Sequence, residues 1–398
     1  MNGTQVDRAC PVCLATGTDK VFENRMSPVG GFDMSYRVAS CRGCGFVFAN
    51  HLPPARRYSD YYRELSKYDT CADAAAISDT ERLRASRVVA MCEPYIERTS
   101  AIADLGCGSG TLLGSFRAKG WERLHGLDPA PKAAAQARAM FGLSSIKSGL
   151  LADAARLLPL RQCRLICLTG VLEHLPRLRE EMSSLMASIA DGTLVLVEVP
   201  ALERFRRKPF EPFGEFSLEH IQYFSARSLE QFFAGLGARR VEMELADLPQ
   251  GTTDSIFGLF AKGGAPNPGR EVSDDGAEIR AYVTESEALM SLVRERIANC
   301  RGPRIIVFGA GSHSARLLPL LEQWGIASRI TAIVDRNPNL HGRCIGRWTV
   351  ESVARIADDP EATLLVSTFR SQTEASLALA ASFPNLQLLP YAAEEFRP

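Results

Sequence analysis

The chain lacks an excess of charge of either sign. Its 46 Lys+Arg are matched by 46 Asp+Glu, so the formal net charge is zero with the six His neutral. That balance argues against a surface built for nucleic acid or anionic membrane. No run approaches the ~20 apolar residues of a membrane span, and the opening MNGTQVDRACPVC has no apolar signal core. The expectation is a cytoplasmic protein with no nucleic-acid or membrane partner. Hydrophobic residues make up 46% and charged residues 23%, which excludes disorder as the main theme. At 398 residues the chain exceeds the roughly 250–300 at which a single core stops growing, so it should divide into domains.

Of the eleven cysteines, four form two Cys-x2-Cys pairs, Cys10/Cys13 and Cys41/Cys44, with 27 residues between the pairs. An odd total is a poor disulfide framework. Two knuckles supply the four thiolates of a tetrahedral structural Zn2+, and four filled positions leave no open coordination site. A loop-rich segment with little core of its own would gain most of its fold from that metal. Cys71, Cys92, Cys107, Cys163, Cys167, Cys300 and Cys344 are scattered and read as small apolar fillers.

From Ser78 a helical pattern runs to Arg98, and a strand–helix alternation follows: AIADLGC, SGTLLGSFRAKG, RLHGLDP, PKAAAQARAMFG, CRLICLTG, a helix over 172–189, and TLVLVEVP. Such a rhythm predicts a parallel sheet with helices on both faces. RRVEMELA and DSIFGLFAK suit an antiparallel pair. AKGGAPNPGREVSDDGAE has linker composition, and a long helix and a second α/β unit, RIIVFGAGSHSARLL to RITAIVDRNP, come after it.

The central loop Asp104-Leu-Gly106-Cys-Gly108-Ser-Gly110 follows a strand and opens a helix. Glycines there let backbone approach a ligand, and the helix N-terminus offers donors. Asp128, 22 residues after Gly106, can accept from both hydroxyls of a ribose. A nicotinamide site uses the same physics. Asp104 separates the two readings, because a carboxylate there would repel a pyrophosphate and hold an ammonium group.

DLGCGSG, GLD and GVLEHL resemble the motifs of class I S-adenosylmethionine-dependent methyltransferases over roughly residues 80–262. The resemblance implies a Rossmann-like seven-stranded α/β core, with Gly106, Gly108 and Gly110 flanking the methionine moiety of the cofactor. Asp128 would meet the ribose and Asp153 the adenine amino group, while Glu173 and His174 lie beside the cofactor. EHIQYFS resembles the EH-x-x-YFS motif of the three-domain sugar C-methyltransferases. That similarity implies a zinc-binding module over 1–75, a methyltransferase core over 76–264 and a Rossmann-like substrate or closure domain over 265–398.

In that family reading, a small-molecule acceptor, a nucleotide-linked keto sugar, loses a proton beside its ketone before it attacks the methyl group. His220 takes the proton, Glu219 orients His220, and Tyr223 bonds the developing oxyanion. Read as residues alone, His220 is more simply a hydrogen-bonded packing histidine. Tyr62 and Tyr68 resemble an aromatic lid near the cofactor; the alternative is aromatics packing one domain on another. In the C-terminal unit Gly309, Gly311 and Asp335 form a partial dinucleotide fingerprint. It is read either as a nucleotide or phosphate site or as a degenerate unit closing the cleft, with His313 as a polar contact or a solvent-facing loop residue. An O-, N- or S-methyltransferase of another small metabolite is the alternative function, and a non-catalytic zinc- and cofactor-binding interaction module is the outside one.

Overall fold

The computed structural model describes residues 8–30, 33, 35–54, 58, 77–130, 132–207, 210–217, 219–249, 252–263, 273–300, 302–369, 372–384 and 387–390. Three antiparallel strands come first, β1 (Thr18–Asn24), β2 (Tyr36–Cys41) and β3 (Val47–Asn50). Helix α1 (Asp79–Cys92) starts at a capping box in which the Ser78 side chain accepts from the Glu81 N–H and the Glu81 carboxylate accepts from the Ser78 N–H. It ends earlier than the helical pattern suggested. Pro94 lacks the N–H a continuing helix needs, and Glu93–Tyr95 form a 3-10 turn.

The central layer runs through β4 (Ala101–Leu105), α2 (Thr111–Ala118), β5 (Leu124–Asp128), α3 (Ala133–Phe141), β6 (Ile146–Ser148), α4 (Ala154–Leu157), β7 (Cys163–Thr169), α5 (Leu178–Ser188) and β8 (Leu194–Pro200). After a short strand β9 (Gln222–Tyr223) come α6 (Ala226–Ala234), β10 (Ala238–Ala246) and β11 (Ser255–Lys262). The seven-stranded sheet has the order β10-β11-β8-β7-β4-β5-β6, with β11 antiparallel to both its neighbours. All five residues of β4 are buried, as a strand covered by helices on both faces requires. The order reverses between β4 and β7, and ligands of open α/β sheets bind beyond the carboxyl ends of the strands at such a point. The helix expected over 172–189 is interrupted. Leu172–His174 form a 3-10 turn, Leu175 is extended before Pro176, and α5 begins only at Leu178.

The C-terminal layer holds α7 (Asp275–Asn299), β12 (Ile305–Phe308), α8 (Ser312–Gln323), β13 (Ile330–Asp335), β14 (Cys344–Ile345), β15 (Trp348–Ser352), β16 (Thr363–Val366), α9 (Gln372–Ser382) and β17 (Gln387–Pro390). Its sheet order is β14-β15-β13-β12-β16-β17, parallel except for the edge strand β14.

The N-terminal segment is not a free-standing module. Strand β9, from the aromatic insertion of the central part, completes its sheet through the pairs Val47↔Tyr223 and Phe48↔Gln222. Arg8 adds a second tie by donating to the Pro176 carbonyl and to Gln222 Oε1. One apolar core includes Tyr36 and Val47 from the first segment, Phe216 and Tyr223 from the insertion, and Tyr282 and Val307 from the last. Among the described residues no helix is long and apolar enough to cross a membrane.

Candidate active site

A cleft of about 1150 Å³ opens between the central and C-terminal layers. Its floor is the loop after β4, one wall is the insertion before β9, and the other is the loop between β12 and α8. The glycines of the floor are there for backbone reasons. Gly106 has φ of 86°, and a Cβ on it would lie 2.5 Å from Val171 Cγ2, so only glycine fits both the conformation and the space. Gly108 (φ 50°) turns its N–H to Asp128, whose Oδ2 accepts at 2.8 Å. Asp128 Oδ1 accepts from the Ala130 N–H at 2.8 Å. This carboxylate therefore fixes the loop as well as facing the cleft.

Asp104 is 1% exposed, and burial together with the neighbouring Asp128 pushes its carboxyl up to about 8. Its Oδ1 has no hydrogen-bond partner among the described residues. An orphaned buried acceptor costs about 1–3 kcal/mol, and a cation arriving from the cleft would remove that cost. The donor set thus fits the ammonium end of an amino-acid-bearing cofactor.

Asp153 goes elsewhere. Its carboxylate accepts from the Leu150 N–H and pairs with Arg156 at 2.9 Å, which lowers its titration range. The cleft is lined at this point by Leu150, Leu151 and Ala152 instead. The side chain expected at the adenine therefore caps a local turn, because Arg156 and a free N–H lie within its reach.

Glu173, His174, Glu219 and His220 are brought together on the cleft wall. Glu173 is 3% exposed, and burial pushes its carboxyl up to about 7. The His174 and His220 rings meet edge to face with centroids 4.9 Å apart. His174 Nδ1 lies 3.2 Å from the Glu219 carbonyl and 3.9 Å from Glu219 Oε2. The carboxylate expected to orient His220 is thus placed beside His174.

Tyr223 is 1% exposed and does not line the cleft. Its hydroxyl donates to the His220 carbonyl at 2.8 Å and lies 2.9 Å from the Tyr36 hydroxyl. Tyr36 in turn donates to the Ser217 carbonyl at 2.8 Å. Two phenols with two protons satisfy two loop carbonyls, so Tyr223 holds the His220 loop from behind instead of facing an oxyanion. Strand pairing of β9 with β3 forces this direction, since alternate residues must point to opposite faces. Tyr62 and Tyr68 lie outside the described residues.

Several cleft residues escaped the sequence reading. Tyr58 is 2% exposed, lines the cleft, and its hydroxyl has no partner among the described residues; the tyrosine-rich stretch around it was the available signal. Glu211 pairs with His313 Nδ1 and, at 3.2 Å, with Arg316. This network bridges insertion and α8, and His313 is buried within it, not solvent-facing. Nothing local in the sequence marks a pairing across 102 residues. In the C-terminal loop Asp335 accepts from the Ala310 and Asn337 N–H groups, both at 2.8 Å, repeating the arrangement around Asp128.

The four N-terminal thiols converge. Cys10 and Cys44 sulfurs are 3.7 Å apart, Cys13 and Cys41 3.4 Å, and all four fall within 4.8 Å of one another. A Zn–S bond of about 2.3 Å implies tetrahedral edges of about 3.8 Å, so the donor set fits that ion and not a pair of disulfides.

The sheet order, the glycine loop after its first strand and the acid ending its second define a class I, S-adenosylmethionine-dependent methyltransferase fold. The sequence comparisons agree. Residues 78–242 match the family model of a methyltransferase domain. The C-methyltransferase NovU of Streptomyces niveus is 28% identical over 220 residues, covering 54% of this chain and 49% of that protein. The chain thus spans about half the length of the curated relative it matches. Solved structures similar to it include magnesium protoporphyrin IX methyltransferase of Synechocystis (TM-score 0.40, 13% identity, 52% of this chain and 98% of that one). The 1,6-didemethyltoxoflavin-N1-methyltransferase of Burkholderia thailandensis is another (TM-score 0.42, 13% identity, 60% and 100%). Residues 78–242 thus carry a methyltransferase domain, and the chain resembles the class I S-adenosylmethionine-dependent methyltransferases, among them a C-methyltransferase.

Proposed function

We propose that the protein methylates a carbon atom of a small keto compound, a nucleotide-linked keto sugar, with His220 as general base. The observation that carries this reading is the facing of two half-sites across one cleft: the orphaned Asp104 with the glycine loop on the floor, and the His174–His220 pair on the wall. S-adenosylmethionine, when bound, supplies an electrophilic methyl group. Asp104 would hold its ammonium and Asp128 its ribose. His220 would take the proton from the carbon beside the ketone, with the facing His174 ring packing against it. Tyr223 and Tyr36 act by fixing the His220 backbone. Arg177 and Arg336 reach the cleft from the two layers, and with the N-terminus of α8 they suit the phosphates of a nucleotide. The four cysteines would hold a structural Zn2+, with no part in the chemistry.

Proton abstraction can be tested without transfer. With S-adenosylhomocysteine bound, the protein should wash solvent deuterium into the carbon beside the ketone of nucleotide-linked keto sugars, and His220→Ala should stop it. Label found on an oxygen, nitrogen or sulfur acceptor in a turnover assay, with no deuterium wash-in, would move the reading to the O-, N- or S-methyltransferases.

A further inference from the structure

We infer that Glu173, His174 and His220 form a second metal site, distinct from the four cysteines, which takes a late first-row divalent cation from the cleft. One ligand atom of each of the three lies within 4.8 Å of the other two. The hydrogen bonding sets up the site. His174 Nδ1 meets the Glu219 carbonyl at 3.2 Å, and a carbonyl can only accept, so that nitrogen carries a proton and, in the neutral ring, Nε2 is the metal-ligating nitrogen. Nε2 lies 3.7 Å from Glu173 Oε1. In the neutral ring the two ligand atoms face each other at a distance a divalent cation can bridge, in place of the proton that an imidazolium would put there. A carbonyl on the remote nitrogen is also the usual outer partner of a metal-bound histidine.

Glu173 supplies a second, independent sign. It is 3% exposed, lines the cleft, and its Oε2 has no hydrogen-bond partner among the described residues. The His220 ring, edge to face on His174, completes a carboxylate and two imidazoles on one side and leaves the cleft side open for water or an acceptor oxygen. Imidazole and carboxylate donors select Co2+, Ni2+ or Zn2+ over Ca2+ or Mg2+, whereas four thiolates make the N-terminal site softer. Metal ligation occupies the lone pair that His220 needs to accept a proton. Occupancy therefore inhibits methyl transfer, a consequence that rests on the proposed role of His220; the binding itself does not.

The test is a titration of the full-length, zinc-replete protein with Co2+, followed by calorimetry and visible absorption. One further equivalent should bind, with d–d bands of nitrogen and oxygen ligation and no thiolate charge-transfer band, and Zn2+ should displace it. Glu173→Gln and His174→Ala should each weaken that equivalent by at least about tenfold and leave the cysteine-bound zinc in place. Absence of a further equivalent, or its survival in both variants, would overturn the site. Should the variants misfold, the wild-type protein decides the matter through diethylpyrocarbonate labelling. Added Zn2+ should protect His174 and His220 from modification, and equal labelling with and without the ion would refute the proposal. Because these readouts follow binding, their failure is separable from failure of the methyltransferase reading, which deuterium wash-in tests.

Discussion

Raising the pH from 6 to 8 should tighten S-adenosylhomocysteine binding by about fiftyfold, and Asp104 should be the reason. The carboxyl titrates at about 8 in the folded protein because it is fully buried and faces Asp128; Cys107 and Cys167, the thiols near it, are themselves pushed well up and stay neutral. On the proposed assignment the ligand's ammonium would recognise the ionised form, so below that value binding would first have to expel a proton. Well below that value each pH unit costs about 1.4 kcal/mol, or tenfold; with about a hundredth of the carboxyl ionised at pH 6 and half at pH 8, the change is about fiftyfold. The protein without ligand should respond in the opposite direction. A carboxyl raised from 3.8 to about 8 keeps its proton in the folded state after the unfolded chain has lost it, so stability falls as pH rises through that window and levels off above it. The assay is calorimetry at pH 6, 7 and 8 in buffers of different ionisation enthalpy, which counts protons released. Near one proton per ligand is expected at pH 6, and Asp104→Asn should bind weakly at every pH with no release. Wild-type affinity that is flat from pH 6 to 8, with no proton released, would refute the assignment.

Other expectations follow from the same contacts. His220→Ala should lower turnover by about 10²–10⁴-fold with cofactor affinity nearly unchanged; near-normal turnover would remove it from the chemistry. Asp128→Ala strips the Gly108 and Ala130 N–H groups of their acceptor, so it should weaken cofactor binding and also loosen the glycine loop, visible as faster amide exchange over 106–110. Gly106→Ala forces a Cβ to within 2.5 Å of Val171 at positive φ and should cost about 1–3 kcal/mol in thermal unfolding. Chelating zinc should unfold β2 and β3 and, because β3 pairs with β9, expose the amides of 217–223 as well. Turnover lost while that loop stays protected would contradict a purely structural role for the cysteines.

How far the sequence discloses this arrangement depends on the range of the forces involved. The glycine loop is legible because Gly106 and Gly108 need positive φ, a demand that only one residue type meets comfortably. The cysteine knuckles are legible because thiolate spacing is itself the geometry. The seven-stranded layer follows from buried apolar runs such as β4. The direction of a side chain is set by distant partners and is not written locally. Tyr223 turns away from the cleft because β9 pairs with β3, more than 170 residues earlier in the chain. Asp153 is claimed by Arg156, a competitor in plain view three residues away whose effect depends on the backbone turn between them. The approach of Glu219 to His174, 45 residues away in the chain, is of the same kind. Across the domain limit expected near residue 75 run the Arg8 hydrogen bonds, the β3–β9 pairing and a shared aromatic core, none of which is written locally in the sequence.

The central claim is that this cleft moves a methyl group from S-adenosylmethionine to carbon. The direct measurement is carbon-13 NMR of the product formed when the protein is given methyl-labelled S-adenosylmethionine and a panel of nucleotide-linked keto sugars. A labelled methyl bonded to the carbon beside the ketone is expected. A cofactor that binds at the Asp104 site while its label stays in place, or passes to a heteroatom, would contradict it.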